Sequence, residues 1–257
     1  FCIFNDNYDA HTESGGKALG VEIHCMLYGF DAPEDEKLNN TLFMRYWIYN
    51  RSSKNYNNVY IGLWNDLDIG YGKDDYIGCN VEKGYFYCYN STDIDGNGEQ
   101  GSYGDNPPAQ LVMCLSGANA DADGIDNPKY DENGFQIVDE SINGFGYGDG
   151  IVDNERLGMS SFVYNNNSDA INGDPNTAEE YYNILKGYWR NGDNIYYGGN
   201  GVNGAPGVSE IPCKFMYPDD SDPYNWGTGG VNPNTEFSWS EETANNGVPN
   251  DSGDRRG

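Results

Sequence analysis

Residues 21–28 read Val21-Glu22-Ile23-His24-Cys25-Met26-Leu27-Tyr28, and residues 42–49 read Leu42-Phe43-Met44-Arg45-Tyr46-Trp47-Ile48-Tyr49. In each, one set of residues alternates strictly with the next, Val21, Ile23, Cys25 and Leu27 with Glu22, His24, Met26 and Tyr28. A period of two, in runs bounded by Asn, Asp and Gly, is the signature of antiparallel strands with two distinct faces. Val59, Ile61 and Leu63 alternate with Tyr60, Gly62 and Trp64 in the same way, predicting a further strand. Aromatics on both faces suit sheets packed as a sandwich.

Working outward, residues 76–89 predict a hairpin. A two-residue loop at Lys83-Gly84 makes opposite positions sum to 167, which pairs Cys79 with Cys88. Such a site is a non-hydrogen-bonded pair, with Cα atoms ~4.5 Å apart, at the short end of disulfide geometry. A Cys79–Cys88 bridge is the expectation. Lys83 is the weak point, since a type I′ turn demands positive φ there.

Residues 117–154 turn to Asp, Asn and Gly, a loop long enough to need something to hold it. Residues 174–190 predict one helix, with Thr177 and Glu180 as a capping box and Tyr181, Ile184, Leu185 and Tyr188 at helical spacing. Gly192 offers its stop. The expected fold is therefore mostly β: an antiparallel sandwich-like domain with long acidic loops and a short helix near 177–189. We expect an antiparallel region over 1–116 and a loop-rich region over 117–257, packed together as one unit.

Composition narrows the function. With 14 basic and 41 acidic residues the net charge is −27, which argues against nucleic acid and against anionic membrane surfaces as partners. No stretch approaches the ~20 apolar residues of a membrane span, so no membrane insertion is expected. Cys2, Cys25, Cys79, Cys88, Cys114 and Cys213, with no CxxC pair, point to disulfides in an oxidising compartment. Six cysteines allow fifteen connectivities, and sequence does not choose among them. Phe1-Cys2-Ile3-Phe4 reads as mid-strand and residues 254–257 as polar loop, which predicts an internal piece of a longer protein.

Calcium takes six to eight oxygens from Asp, Glu, Asn and carbonyls on loops turned by Gly. Four segments have that character. In Asn119-Ala120-Asp121-Ala122-Asp123-Gly124-Ile125-Asp126, alternate side chains can converge, with Asp121, Asp123 and Asp126 as ligands. Read as an EF-hand it fails, because Tyr130 would be the twelfth position. The second segment, residues 148–155, offers Asp149, Asp153 and Glu155; Phe145 and Tyr147 replace its first ligands, so it could instead complete the first site. The third offers Asp66, Asp68, Asp74 and Asp75, carboxylates that repel one another unless compensated. The fourth offers Asp93, Asp95, Asn97 and Glu99.

A catalytic constellation is hard to find. His24 lies in a strand pattern and reads as a packed or surface residue, and His11 sits in a polar loop. No GxSxG, HExxH or P-loop string occurs. Two-carboxylate glycosidase chemistry has candidates everywhere, which makes it uninformative.

Several strings together resemble a known group. They are Phe4-Asn5-Asp6 with His11-Thr12-Glu13, then Trp64-Asn65-Asp66-Leu67-Asp68-Ile69-Gly70 with residues 74–79. Residues 103–109, 148–155 and 211–216 follow, and last Asp222-Pro223 with residues 226–230. In this order the chain resembles the large secreted surface proteins of Bacteroidota exported by the type IX secretion system. The resemblance implies export across the outer membrane, cell-surface attachment or release, and further segments of the parent protein; it implies no reaction. The reading that follows is a calcium-stabilised extracellular structural or adhesive module without catalysis, whose partners are calcium and other parent segments or surface proteins. The alternative is a carbohydrate-binding module or glycan-acting enzyme that uses exposed aromatics beside carboxylates.

Overall fold

The computed structural model describes residues 1–6, 11–133, 137, 142–166, 170–233, 238–244 and 255–256. The chain is mostly β, with antiparallel sheets; 30% of the described residues are strand and 7% helix. It divides into two compact units, Phe1–Val59 with Asn176–Ala178, and Tyr60–Pro175 with Glu179–Gly257. The boundary expected at 116/117 falls inside the second unit. The strands before it bury Ile77, Cys79 and Phe86 in one core with Phe162, Trp189 and Phe215, well beyond it.

The first unit contains β1 (Cys2–Asn5), β2 (Val21–Gly29), a short helix α1 (Glu36–Asn39) and β3 (Leu42–Asn50). The two long alternating runs pair along their whole length, from Val21 opposite Asn50 to Gly29 opposite Leu42. On the other side of β2, β1 pairs from Cys2 opposite Cys25 to Asn5 opposite Glu22. Alternation puts Phe4, Ile23, Cys25, Leu27, Leu42, Met44, Tyr46 and Ile48 on one face. Asp35 caps α1 by accepting the Leu38 N–H at 3.2 Å, a helix the sequence reading missed. No described residue of this unit is buried, and Leu42 is 72% exposed. Residues 59–64, expected as a strand, join no ladder among the described residues. Period two sets the faces of a strand, but forming one also needs a neighbour for its N–H and C=O groups.

The second unit follows with β4 (Asp75–Asn80), β5 (Tyr85–Asn90), β6 (Ile94–Asp95), β7 (Gly104–Asp105), β8 (Ala109–Met113) and β9 (Asn165–Asn166). After these come α2 (Ala178–Leu185, all but its first residue in this unit), β10 (Ile195–Gly198), β11 (Val208–Cys213), α3 (Glu241–Ala244) and β12 (Arg255–Arg256). Its largest sheet runs β4-β5-β8; β6-β7, β10-β11 and β9-β12 are two-stranded.

The β4–β5 hairpin corrects the expected register. Asn80 pairs with Tyr85, so the turn is four residues, 81–84. Gly84 takes φ +66 and donates its N–H to the Asn80 carbonyl at 3.0 Å, while the Asn80 side chain accepts the Lys83 N–H at 2.9 Å. Lys83 thereby escapes the positive φ of a two-residue turn. Cys79 now faces Phe86 and Cys88 faces Ile77, so opposite positions sum to 165. Cys79 and Cys88 become diagonal neighbours, ~7–8 Å apart, and the expected bridge does not fit. The Cys79 thiol instead donates to the Met216 carbonyl at 3.2 Å and the Cys88 thiol to the Leu67 carbonyl at 3.3 Å.

Strand β4 lies at the sheet edge, and residues far along the chain satisfy it. The Ile77 N–H donates to Glu241 Oε2 at 2.8 Å and the Cys79 N–H to the Tyr217 carbonyl at 3.1 Å. In the following turn the Val81 N–H reaches Ser221 Oγ at 3.0 Å. The core beneath is aromatic. Trp189 is 0% exposed and donates its indole N–H to the Gly201 carbonyl at 3.1 Å. Phe86 stacks on Phe162 at 5.3 Å, and Trp239 lies against Tyr197 and Tyr217.

Helix α2 forms where expected but ends early. Gly187 at φ +74 closes it, with its N–H on the Ile184 carbonyl at 2.9 Å. A left-handed glycine just past the last turn is an efficient stop, so Gly192 is not needed.

Candidate metal centre

The long acidic loop is held by its own second half. Segment 154–157 runs beside 117–120, with the Gly117 N–H on the Leu157 carbonyl at 3.1 Å and the Ala120 N–H on the Glu155 carbonyl at 3.0 Å. Arg156 also exchanges backbone hydrogen bonds with Phe145, at 2.8 and 3.1 Å. This clip brings two of the four predicted segments together. Asp121 and Asp123 from the first meet Asp153 from the second, each offering a carboxylate oxygen within 4.8 Å of the others. Asp153 makes this possible with a left-handed turn, φ +57, and one of its oxygens accepts the Gly124 N–H at 2.8 Å.

The remaining carboxylates of the two segments brace the loops. Asp126 accepts the N–H groups of Gly148 and Gly150, at 2.8 and 2.6 Å. Asp149 accepts the Ile151 N–H at 2.9 Å and the Asn154 side chain at 3.0 Å. Glu155 is 1% exposed. Its Oε1 accepts the Asn127 N–H at 2.5 Å, and its Oε2 has no hydrogen-bond partner among the described residues. Asn127, which the sequence reading passed over, connects the parts, since its side-chain amide also reaches Asp121 at 3.3 Å.

This donor set fits a hard cation. Three carboxylates at such separations repel by about 1 kcal/mol per pair in water, and more where water is excluded. None of the six acidic residues of the two segments forms an ion pair with a described Lys or Arg. The buried, half-satisfied Glu155 adds to the uncompensated negative charge. The group contains oxygen donors only, which suits calcium and disfavours the soft metals that choose thiolate or imidazole. Carbonyls and water would have to supply the rest of a calcium shell.

The third and fourth predicted segments lie elsewhere and are laced to each other. Asp75, 0% exposed, accepts the Ile69 N–H at 2.8 Å. Asp95, 1% exposed, accepts the N–H groups of Tyr71, at 2.8 Å, and Tyr103. Asp74 accepts the Gly96 N–H at 2.8 Å. A Cβ on Gly70 would meet Asp95 Oδ2 at 1.9 Å, so only glycine lets the carboxylate approach. Asp66 and Asp68 are exposed, flanking the buried Leu67, while Asp93, Asn97 and Glu99 lie at the surface. These carboxylates do not converge as the first group does.

Two further places gather ionisable groups. His24 sits on the sheet with its Nε2 at 2.9 Å from Glu22, which also pairs with Arg51. A small polar cavity in the second unit is lined by Tyr197, Asp219, Asp222, Asn225 and Thr228. Burial pushes the Asp222 carboxyl up, against the pull of the Trp226 and Gly227 N–H groups that it accepts at 2.8 Å. Compared with known proteins, the chain matches no family, no curated protein and no solved structure.

Proposed function

We propose that this chain is a calcium-stabilised structural or adhesive module of a larger extracellular surface protein, and that it performs no catalysis. The observation that carries the reading is the meeting of Asp121, Asp123 and Asp153 from two segments some thirty residues apart. An ion held there replaces the mutual repulsion of three carboxylates with a common attraction. It would fasten the 119–127 segment to the 148–155 segment and so fix a loop region that has few apolar side chains of its own. Extracellular millimolar calcium suits a site built from exposed carboxylates. The acidic surface and the apolar face of the first sheet then serve contacts with other segments of the parent protein or with other surface proteins.

The test is a thermal melt with millimolar calcium and with excess chelator. Calcium at a hundred times its dissociation constant stabilises by about 2.7 kcal/mol, which for a unit of this size is a shift of about 5–10 °C. Asp121→Asn with Asp153→Asn should abolish that shift. Identical melts with calcium and with chelator would overturn the reading.

Glycan binding is the second reading, supported by Tyr224, which is 51% exposed and stacks on Trp226 at 5.0 Å beside the carboxylate-lined cavity. A glycan array without hits would remove it.

A further inference from the structure

Across the middle of the first sheet runs a row of three side chains, Cys2 of β1, Cys25 of β2 and Tyr46 of β3, each directly opposite the next. Residues directly opposite on adjacent strands share a face. The Asp6 N–H donates to the Val21 carbonyl at 3.3 Å, continuing the β1–β2 ladder. Counting back by twos makes Cys2 and Cys25 a hydrogen-bonded pair, with Cα atoms ~5.5 Å apart, inside the range that a disulfide spans. Cys2 is exposed and Cys25 partly so, in contrast to the buried thiols of the core. Tyr46 reports the crowding. Its hydroxyl is pushed up first by desolvation, then by the Cys25 thiol beside it, with a further contribution from Cys2.

Cys79 and Cys213 also lie near one another, but inside the core. Cys79, Cys88 and Cys213 are buried, and burial pushes the Cys79 and Cys213 thiols well up, so their reactive thiolates are scarce. Cys114 follows β8 and donates its N–H to the Gly84 carbonyl at 2.9 Å.

We propose that Cys2 and Cys25 form an intramolecular disulfide that clamps β1 to β2. The oxidant is a second disulfide, either a small one of the glutathione class or that of a thiol oxidoreductase. The Cys2 thiolate attacks one of its sulfurs, breaking that S–S bond and releasing one thiol. The Cys25 thiolate then attacks Cys2 in the mixed disulfide and releases the second thiol. Two protein thiols and one disulfide thus become one protein disulfide and two free thiols. The oxidant takes up two electrons, and the released thiols carry away the two protons. The bridge is independent of the metal centre, so either proposal can fail alone.

The test uses the whole chain, equilibrated with oxidised glutathione, then denatured, alkylated and digested with trypsin. Cuts after Lys17 and Lys37 place Cys2 in peptide 1–17 and Cys25 in peptide 18–37. The expected product is these two peptides joined, from monomeric protein, at least tenfold more abundant than any other linked pair and separated by reductant. Cys25→Ser should leave Cys2 as a stable mixed disulfide with glutathione, and Cys114→Ser should leave the 1–17/18–37 link intact. Full alkylation of Cys2 and Cys25 after oxidation would overturn the proposal. So would a persistent glutathione adduct on Cys2 in the unaltered chain, or a Cys2–Cys2 link between two molecules.

Discussion

Trp189 and Trp47 show how differently the two units treat the same side chain. Trp189 is 0% exposed, its indole N–H satisfied by the Gly201 carbonyl and its ring packed among the residues of the core. Trp47 stands on the face of β3, partly exposed, with the Arg45 guanidinium 4.5 Å from its ring centre. Every described buried side chain belongs to the second unit. The first unit is held by long backbone ladders, by surface pairs such as Arg51 with Glu22, and by stacked rings such as Tyr28 on Phe43. A high aromatic content therefore does not itself make a core. Burial contributes roughly 25 cal/mol per Å² of apolar surface removed from water, and the first sheet, by itself, removes little.

The largest effect that would sharpen this contrast comes from truncating the two tryptophans. Trp189→Ala should cost about 3–5 kcal/mol, read by urea unfolding of the second unit. Trp47→Ala should cost less than about 1 kcal/mol. An equal loss from both would break the comparison, because it would mean that the first sheet is covered in solution. A smaller effect is expected at Asp95, whose two oxygens accept two loop N–H groups. Asp95→Asn points an amide donor at one of them and should cost about 1–3 kcal/mol, with melts again the measure. The smallest concerns Glu22, whose carboxyl is held below the usual range, chiefly by its hydrogen bond to Arg51 and then by that to His24. A lowered acid stabilises the folded state at neutral pH, and that contribution is lost as pH falls through the folded-state value. Arg51→Ala should move the Glu22 titration, followed by carboxyl-detected NMR, back toward its ordinary midpoint.

Much of the architecture was legible because it rests on short-range rules. The period of two in residues 21–28 and 42–49 located β2 and β3, and the capping signals located the start of α2. The misses came where one residue's backbone preference decided. Lys83 turned a two-residue loop into four and moved the hairpin register by two, and Gly187 ended the helix before Gly192. Residues 59–64 had the pattern of a strand, but pairing is a property of neighbours, which no local pattern contains. Asp121, Asp123 and Asp153 were each recognisable as oxygen donors. Their convergence was not, because it depends on the 154–157 clip. Close clustering and alternation of acidic residues mark Asp75 and Asp95 as candidate ligands, and in the fold each is buried and accepts backbone N–H groups. A carboxylate bracing a loop and one awaiting an ion look the same in sequence.

The edge of β4 carries a consequence for the order of events in folding. Its N–H partners, Tyr217 and Glu241, are made some 140–160 residues after Cys79 and Ile77. At ribosomal speeds of about 5–20 residues per second, the nascent hairpin waits on the order of ten seconds for them. During that interval Ile77, Cys79 and Val81, fully enclosed in the finished unit, are exposed on an open strand. The second unit is therefore completed only once its last third has been synthesised, and until then its hairpin needs shielding from pairing with another nascent chain.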